Sequence, residues 1–196
     1  MFFESKASIY KQISAKAGKN GWLPADFLLS GESSVPGELE GKLFFRGDAE
    51  EMRPEVFEKF MRLLRWACED PKKRKGGELA EYFEEHCVFQ IIDRACEELF
   101  SEQRGIDIFK VLDVAFEWAT KSENAGLVKL GIALMGMLNL DDREDCRRAI
   151  VTLGKYEEFT LYSLFAVSGW ENGKEITSGY AHNLKGWGKI HAEQWL

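Results

Sequence analysis

The chain has 196 residues, of which 45% are hydrophobic, enough for one domain with a substantial core and too apolar for a disordered segment. Its 33 acidic and 26 basic residues leave a formal charge of -7, a field that repels a phosphate backbone and disfavours nucleic acid as a partner. The start, MFFESKASIY, has no apolar h-region, and the longest greasy stretch, Leu130 to Leu140, falls well short of the roughly 20 residues that span a bilayer. The four cysteines at 68, 87, 96 and 146 form no C-x-x-C pair and sit within apolar patterns, so a reducing, cytoplasmic setting without structural metal is expected.

In chain order, the pattern predicts an opening helix over Glu4–Ala17, followed by an irregular stretch dense in Gly, Ser and Pro. Two short apolar runs inside that stretch, Asp26–Leu29 and Lys42–Phe45, are placed to pair as a small β-hairpin. All four prolines (24, 36, 54 and 71) lie in the first 71 residues. Proline breaks helix interiors, so a boundary is expected near residue 53, separating an N-terminal helix and irregular segment (1–53) from a helical repeat domain (54–196).

Pro54 suits the first turn of a helix, and Val56, Phe60, Leu63, Leu64 and Ala67 then share one face. The run Lys72–Lys75, between Pro71 and Gly76-Gly77, reads as a solvated loop. Leu79, Phe83, Cys87, Ile91, Ala95 and Leu99 step by fours and predict one long helix. Ile108, Leu112, Ala115, Phe116 and Ala119 make a further stripe, and Leu127, Leu130 and Leu134 lie in a segment apolar on nearly all sides, which implies burial between neighbours. Asp107, Asp141 and Asn172 read as helix caps, the last two with a glutamate three residues on. Their spacing of 34 and 31 residues predicts helix pairs over 107–140, 141–170 and 171–196. The expected fold is therefore all-α, a HEAT/armadillo-like helix-pair solenoid behind an irregular N-terminal segment, with an irregular bundle as the alternative.

Candidate chemistry is sparse. His182 and His191 are nine apart with Gly186 and Gly188 between them, which fits no metal-ligand spacing. His191 and Glu193 offer a general base and an orienting carboxylate, but residues two apart on a helix point to different sides. His86 and Cys87 likewise diverge. No phosphate loop, no G-x-S-x-G elbow and no cofactor motif is present. Aromatic residues make up 13% of the chain, including six tryptophans, and such side chains serve recognition surfaces well. Trp22, in a Gly-Trp-Leu-Pro loop, and Trp187 are the binding candidates. Trp22 equally suits a role in docking the N-terminal segment.

The stretch Gly186-Trp187-Gly188-Lys189-Ile190-His191-Ala192 resembles a motif of bacterial helical-repeat proteins in which a helix opens Gly-Trp-Gly-Arg/Lys-Ile-His and a Glu-Arg pair follows. Some of those proteins carry the label limonene hydroxylase. This chain lacks a haem-type cysteine loop, a flavin-type glycine turn and a two-histidine, one-carboxylate motif, and it departs from the pattern at Glu193-Gln194-Trp195. The resemblance implies helical repeats and assigns no catalytic residue.

Together these features point to a non-catalytic module that binds a protein or peptide, its acidity favouring a basic or amphipathic partner. The bulk apolar ending Trp195-Leu196 suggests a homodimer contact or continuation into further repeats. The alternative is an enzyme, a hydrolase or oxygenase, using His191, Glu193 and His182 in a pocket among the last helices.

Overall fold

The computed structural model describes residues 7–18, 21–30, 35–46, 52–99, 101 and 105–196. Over these residues the chain is all-α, with eleven α-helices and no strand. The first is α1 (Ile9–Lys16), capped by the Ser8 hydroxyl, which accepts from the Lys11 amide. It is shorter than the helix expected over Glu4–Ala17, whose first three residues lie outside the described set.

The expected hairpin is not formed: Lys42–Phe45 belongs to a helix, α2 (Glu38–Arg46). Its first turn carries Glu38 and Glu40, acids that suit a helix N-terminus, and Gly37 precedes it at φ 74°, a conformation that ordinary side chains resist. The apolar triplet Leu43-Phe44-Phe45 that imitates a strand is the last part of this helix.

Helix α3 (Pro54–Glu69) opens on its proline and buries Phe60, Leu63, Leu64 and Ala67 as their spacing predicts, with Phe57 and Met61 buried as well and Val56 only partly so. The single helix expected over residues 79–99 is in fact two, α4 (Gly77–Glu85) and α5 (Ile92–Leu99), joined by a 3₁₀ turn at Val88–Gln90. His86 and Cys87 are extended there, at φ -132° and -89°. The break lets Leu79 and Ala95 both reach the core, although sixteen residues apart on one straight helix they would point about 160° away from each other.

Six helices follow: α6 (Ile108–Lys121), α7 (Ala125–Gly136), α8 (Glu144–Leu153), α9 (Glu157–Val167), α10 (Gly173–Asn183) and α11 (Gly186–Gln194). Side chains cap α6 and α7: Asp107 accepts from the Phe109 amide at 3.0 Å, and Asn124 from the Leu127 amide at 3.0 Å. Asp141 does not cap α8, which begins three residues later behind Arg143, and Asn172 precedes α10 without a side-chain cap bond. α7 packs on α6 and α9, and α9 in turn packs on α11, so α7, α9 and α11 form one row. α7 and α9 are buried on nearly all sides, as the apolarity of the first requires. Gly131 admits the close approach of α6, since a Cβ there would lie 2.5 Å from the Ala115 carbonyl oxygen.

The N-terminal part shares this interior. α1 lies against α6 and α8, and Ile9, Ile13 and Leu29 belong to the same hydrophobic core as the later helices. α2 lies against α11 and reaches α7 and α9 through Glu40. No helix of the described residues is long and apolar enough to cross a membrane.

Candidate functional site

The chemically richest place in the molecule lies where α2 meets the row of α7, α9 and α11. Glu40, in the first turn of α2, is only 1% exposed, and Lys129, in the middle of apolar α7, is 7% exposed. The Lys129 ammonium bonds Glu40 Oε1 at 2.6 Å and also bonds Glu158 Oε1, from the first turn of α9. Tyr162, one turn further along α9, donates its hydroxyl to Glu40 Oε1 at 3.2 Å, and the Cys87 thiol approaches the same oxygen at 3.7 Å. The Gly37 amide donates to Glu158 Oε2 at 2.6 Å, so the turn that starts α2 is tied to α9 as well.

Environment fixes the protonation of these groups. Burial pushes the Lys129 pKa down, but the two adjacent carboxylates outweigh it and hold the ammonium above its ordinary value. Burial, reinforced by the Glu40 charge, raises the Cys87 thiol to about 11 and holds the Tyr162 hydroxyl well above its usual range. Cys87 is therefore a thiol, a weak nucleophile, and Lys129 is a cation with no free amine. The set is suited to gripping a carboxylate rather than to attacking a carbon.

His191 is fully buried beside this cluster. Its ring stacks on Phe45 at 6.0 Å and meets Phe44 and Trp187 at 5.7 and 6.2 Å. Neither ring nitrogen, nor Glu40 Oε2, has a hydrogen-bond partner among the described residues. Burial lowers the His191 pKa, against an opposing pull from Glu40, so the neutral ring is favoured.

The residues singled out from sequence fall in different places. Glu193 is exposed on the far side of α11 and pairs with Lys189 at 3.8 Å, so it does not orient His191. His182 is exposed near the end of α10. Trp187 is half-buried and lies under Gly41, where even a Cβ would strike its ring. Trp22 is half-buried, edge-on to Tyr180 at 6.0 Å and covered by the Lys155 ammonium at 5.4 Å. Lys155 also donates to the Gly21 carbonyl at 2.7 Å, so Trp22 docks its loop onto α10 and the turn between α8 and α9 while lining a cleft of about 380 Å³ with Phe27, Leu28 and Leu184. In the basic run, Lys73 is paired with Glu78 and lies over Trp66.

Lys129 is not among the candidates from sequence, although a lone charge in an apolar helix signals a buried partner. Glu40 carried no such signal, since GELEGK reads as polar loop. No three His, Cys, Asp or Glu side chains of the described residues are placed to hold a metal ion. No protein-family model, curated protein or solved structure matches this chain.

Proposed function

We propose that the chain is a helical-repeat module that binds a protein or peptide, with α6/α7, α8/α9 and α10/α11 as successive units of a helix-pair solenoid and α7, α9 and α11 as its inner row. The observation that carries this reading is that the inner row already grips a helix. α2 rests on it through Glu40 in the clamp of Lys129 and Tyr162, with Gly41 against Trp187. Exposed apolar groups flank that helix: Leu39 and Phe45 on α2, Ile190 on α11 and Phe165 on α9 are 40–57% exposed. Helix-in-groove recognition uses such anchors.

Photo-crosslinking tests this. Benzoylphenylalanine in place of Phe45 should give a discrete adduct with another polypeptide in the native cell, and the same group in place of exposed Lys121 on α6 should not. Identical or absent adducts at both positions would refute the module reading.

One observation supports the enzyme reading, a hydrolase or oxygenase at His191: a neutral, buried imidazole with two unpartnered nitrogens has the protonation state of a general base. A substrate would have to displace α2 to reach it. Turnover abolished by His191→Gln, with the melting temperature kept, would establish that reading instead.

A further inference from the structure

α2 is seated unlike the helices around it. α3, α7 and α9 are buried through aliphatic and aromatic side chains, whereas the buried positions of α2 are Glu40 and Gly41. Leu39 faces outward, 57% exposed, while Phe44 and the half-exposed Phe45 pack on the His191 ring. A helix whose deepest contact is a carboxylate must desolvate ions to dock, and the mutual attraction of buried ions repays that cost only in part.

The groove also extends beyond α2. On α7, Lys129 is followed on the same face by Ala133 and then Gly136 and Met137; on α9, Glu158 is followed by Tyr162 and then Phe165 and Ala166. The ionic residues form the end that α2 covers. The far residues form one side of an open apolar cavity of about 240 Å³, whose other side is Phe89 of the 3₁₀ turn and Ile92, Asp93 and Cys96 of α5. Tyr162 belongs to both halves, its hydroxyl on Glu40 and its ring in the cavity wall. The floor is flat because Gly136 and Ala166 meet closely; a Cβ on Gly136 would lie 2.7 Å from that of Ala166.

Resting on the module reading, we propose that this α7/α9 groove is a docking site for an amphipathic helix of a partner protein, and that α2 occupies its polar half until the partner displaces it. The partner's helix presents a glutamate to Lys129 and Tyr162, followed directly by glycine, because Trp187 leaves no room for a larger residue. It places an apolar side chain in the cavity. It is neutral or basic overall: α2 itself balances Glu38 and Glu40 with Lys42 and Arg46, and a chain of charge -7 repels a strongly acidic helix.

Hydrogen exchange of the full chain provides the first test. Amides of residues 38–46 should exchange faster than those of α7 and α9, and Glu40→Gln should accelerate them at least tenfold while α7 and α9 stay protected. Exchange of α2 in step with α7, or loss of the whole fold in Glu40→Gln, would make α2 a permanent part of the core and overturn the proposal. The second test is fluorescence anisotropy with a labelled synthetic peptide of residues 35–46. It should bind the full-length Glu40→Gln chain at least tenfold more tightly than the wild type, whose own α2 competes. Binding should vanish when the peptide carries Glu40→Gln or the chain also carries Lys129→Met. No binding, or binding indifferent to the carboxylate, would overturn the site. The module reading would still stand or fall separately, on the Phe45 crosslink.

Discussion

Lys129 is the one cation of the cluster among the described residues, and its ammonium serves two carboxylates from two other helices. Replacing it with Met leaves Glu40 and Glu158 facing each other with no counter-ion. Breaking one side of a buried pair costs about 3–5 kcal/mol where the orphaned charge stays buried; because α2 can lift and hydrate Glu40, urea unfolding of Lys129→Met should show a smaller loss, and a loss of the full size would mean that α2 cannot leave. His191 makes a second prediction. Burial lowers its folded pKa below the ordinary 6.5, so as pH falls through that value the unfolded chain takes a proton that the folded ring refuses. Stability should therefore decline from about pH 6.5 downward until the folded pKa is reached, and His191→Phe should flatten that part of a melting-temperature profile. Lys129 could be read from the sequence as an anomaly inside an apolar helix. His191 could be read only as a histidine near Trp187, since the rings that enclose it, Phe44 and Phe45, come from a segment whose apolar run suggested a strand.

Helices read well from the sequence where one straight segment carried the apolar spacing throughout, as in α3 and α6, and poorly where the chain turned within it. The break at His86–Ile91 is of the second kind: steps of four continued through it, but burying both Leu79 and Ala95 needed a change of direction that periodicity does not record. α2 is the harder case, since its buried face is a glutamate and a glycine and gives no apolar period at all. The same property makes it separately testable. Gly41→Ala would drive a methyl into the Trp187 ring, so it should expose α2 to limited proteolysis while leaving the far-UV spectrum of the remaining helices nearly unchanged. Gly131→Ala is the contrasting element-level change. Its methyl would meet the backbone of α6, which cannot swing aside as a side chain can, and overpacking of this kind costs about 1–3 kcal/mol of global stability. If chemical unfolding shows the Gly41 variant to be the more destabilised of the two, α2 is more deeply integrated than its burial implies.

Across the whole molecule, the boundary written in proline near residue 53 marks a change of local structure, and the core runs straight through it. Ile13 of α1 is fully buried against α6 and α8, and the Ser8 hydroxyl donates to the Thr120 carbonyl at 2.8 Å, so the first helix closes over the outer side of the later helices. At the other end, Tyr180 of α10 bonds Ser163 of α9 at 2.9 Å and donates to the Val151 carbonyl of α8 at 3.0 Å, linking three helices through one hydroxyl. With both ends tied into shared packing, α1 and the later helices should unfold as one unit, with α2 alone able to leave first. Ile13→Ala removes a core side chain that packs against helices far along the chain, α6 and α8; such truncations cost about 2–5 kcal/mol, and a chain of this size loses roughly 2–4 °C per kcal/mol. Tryptophan fluorescence, dominated by the later helices, and circular dichroism should therefore fall together in this variant, at a midpoint lowered by about 4–20 °C. Two separated transitions would instead make the N-terminal segment an independent unit, and the Glu40 clamp the main contact between the two.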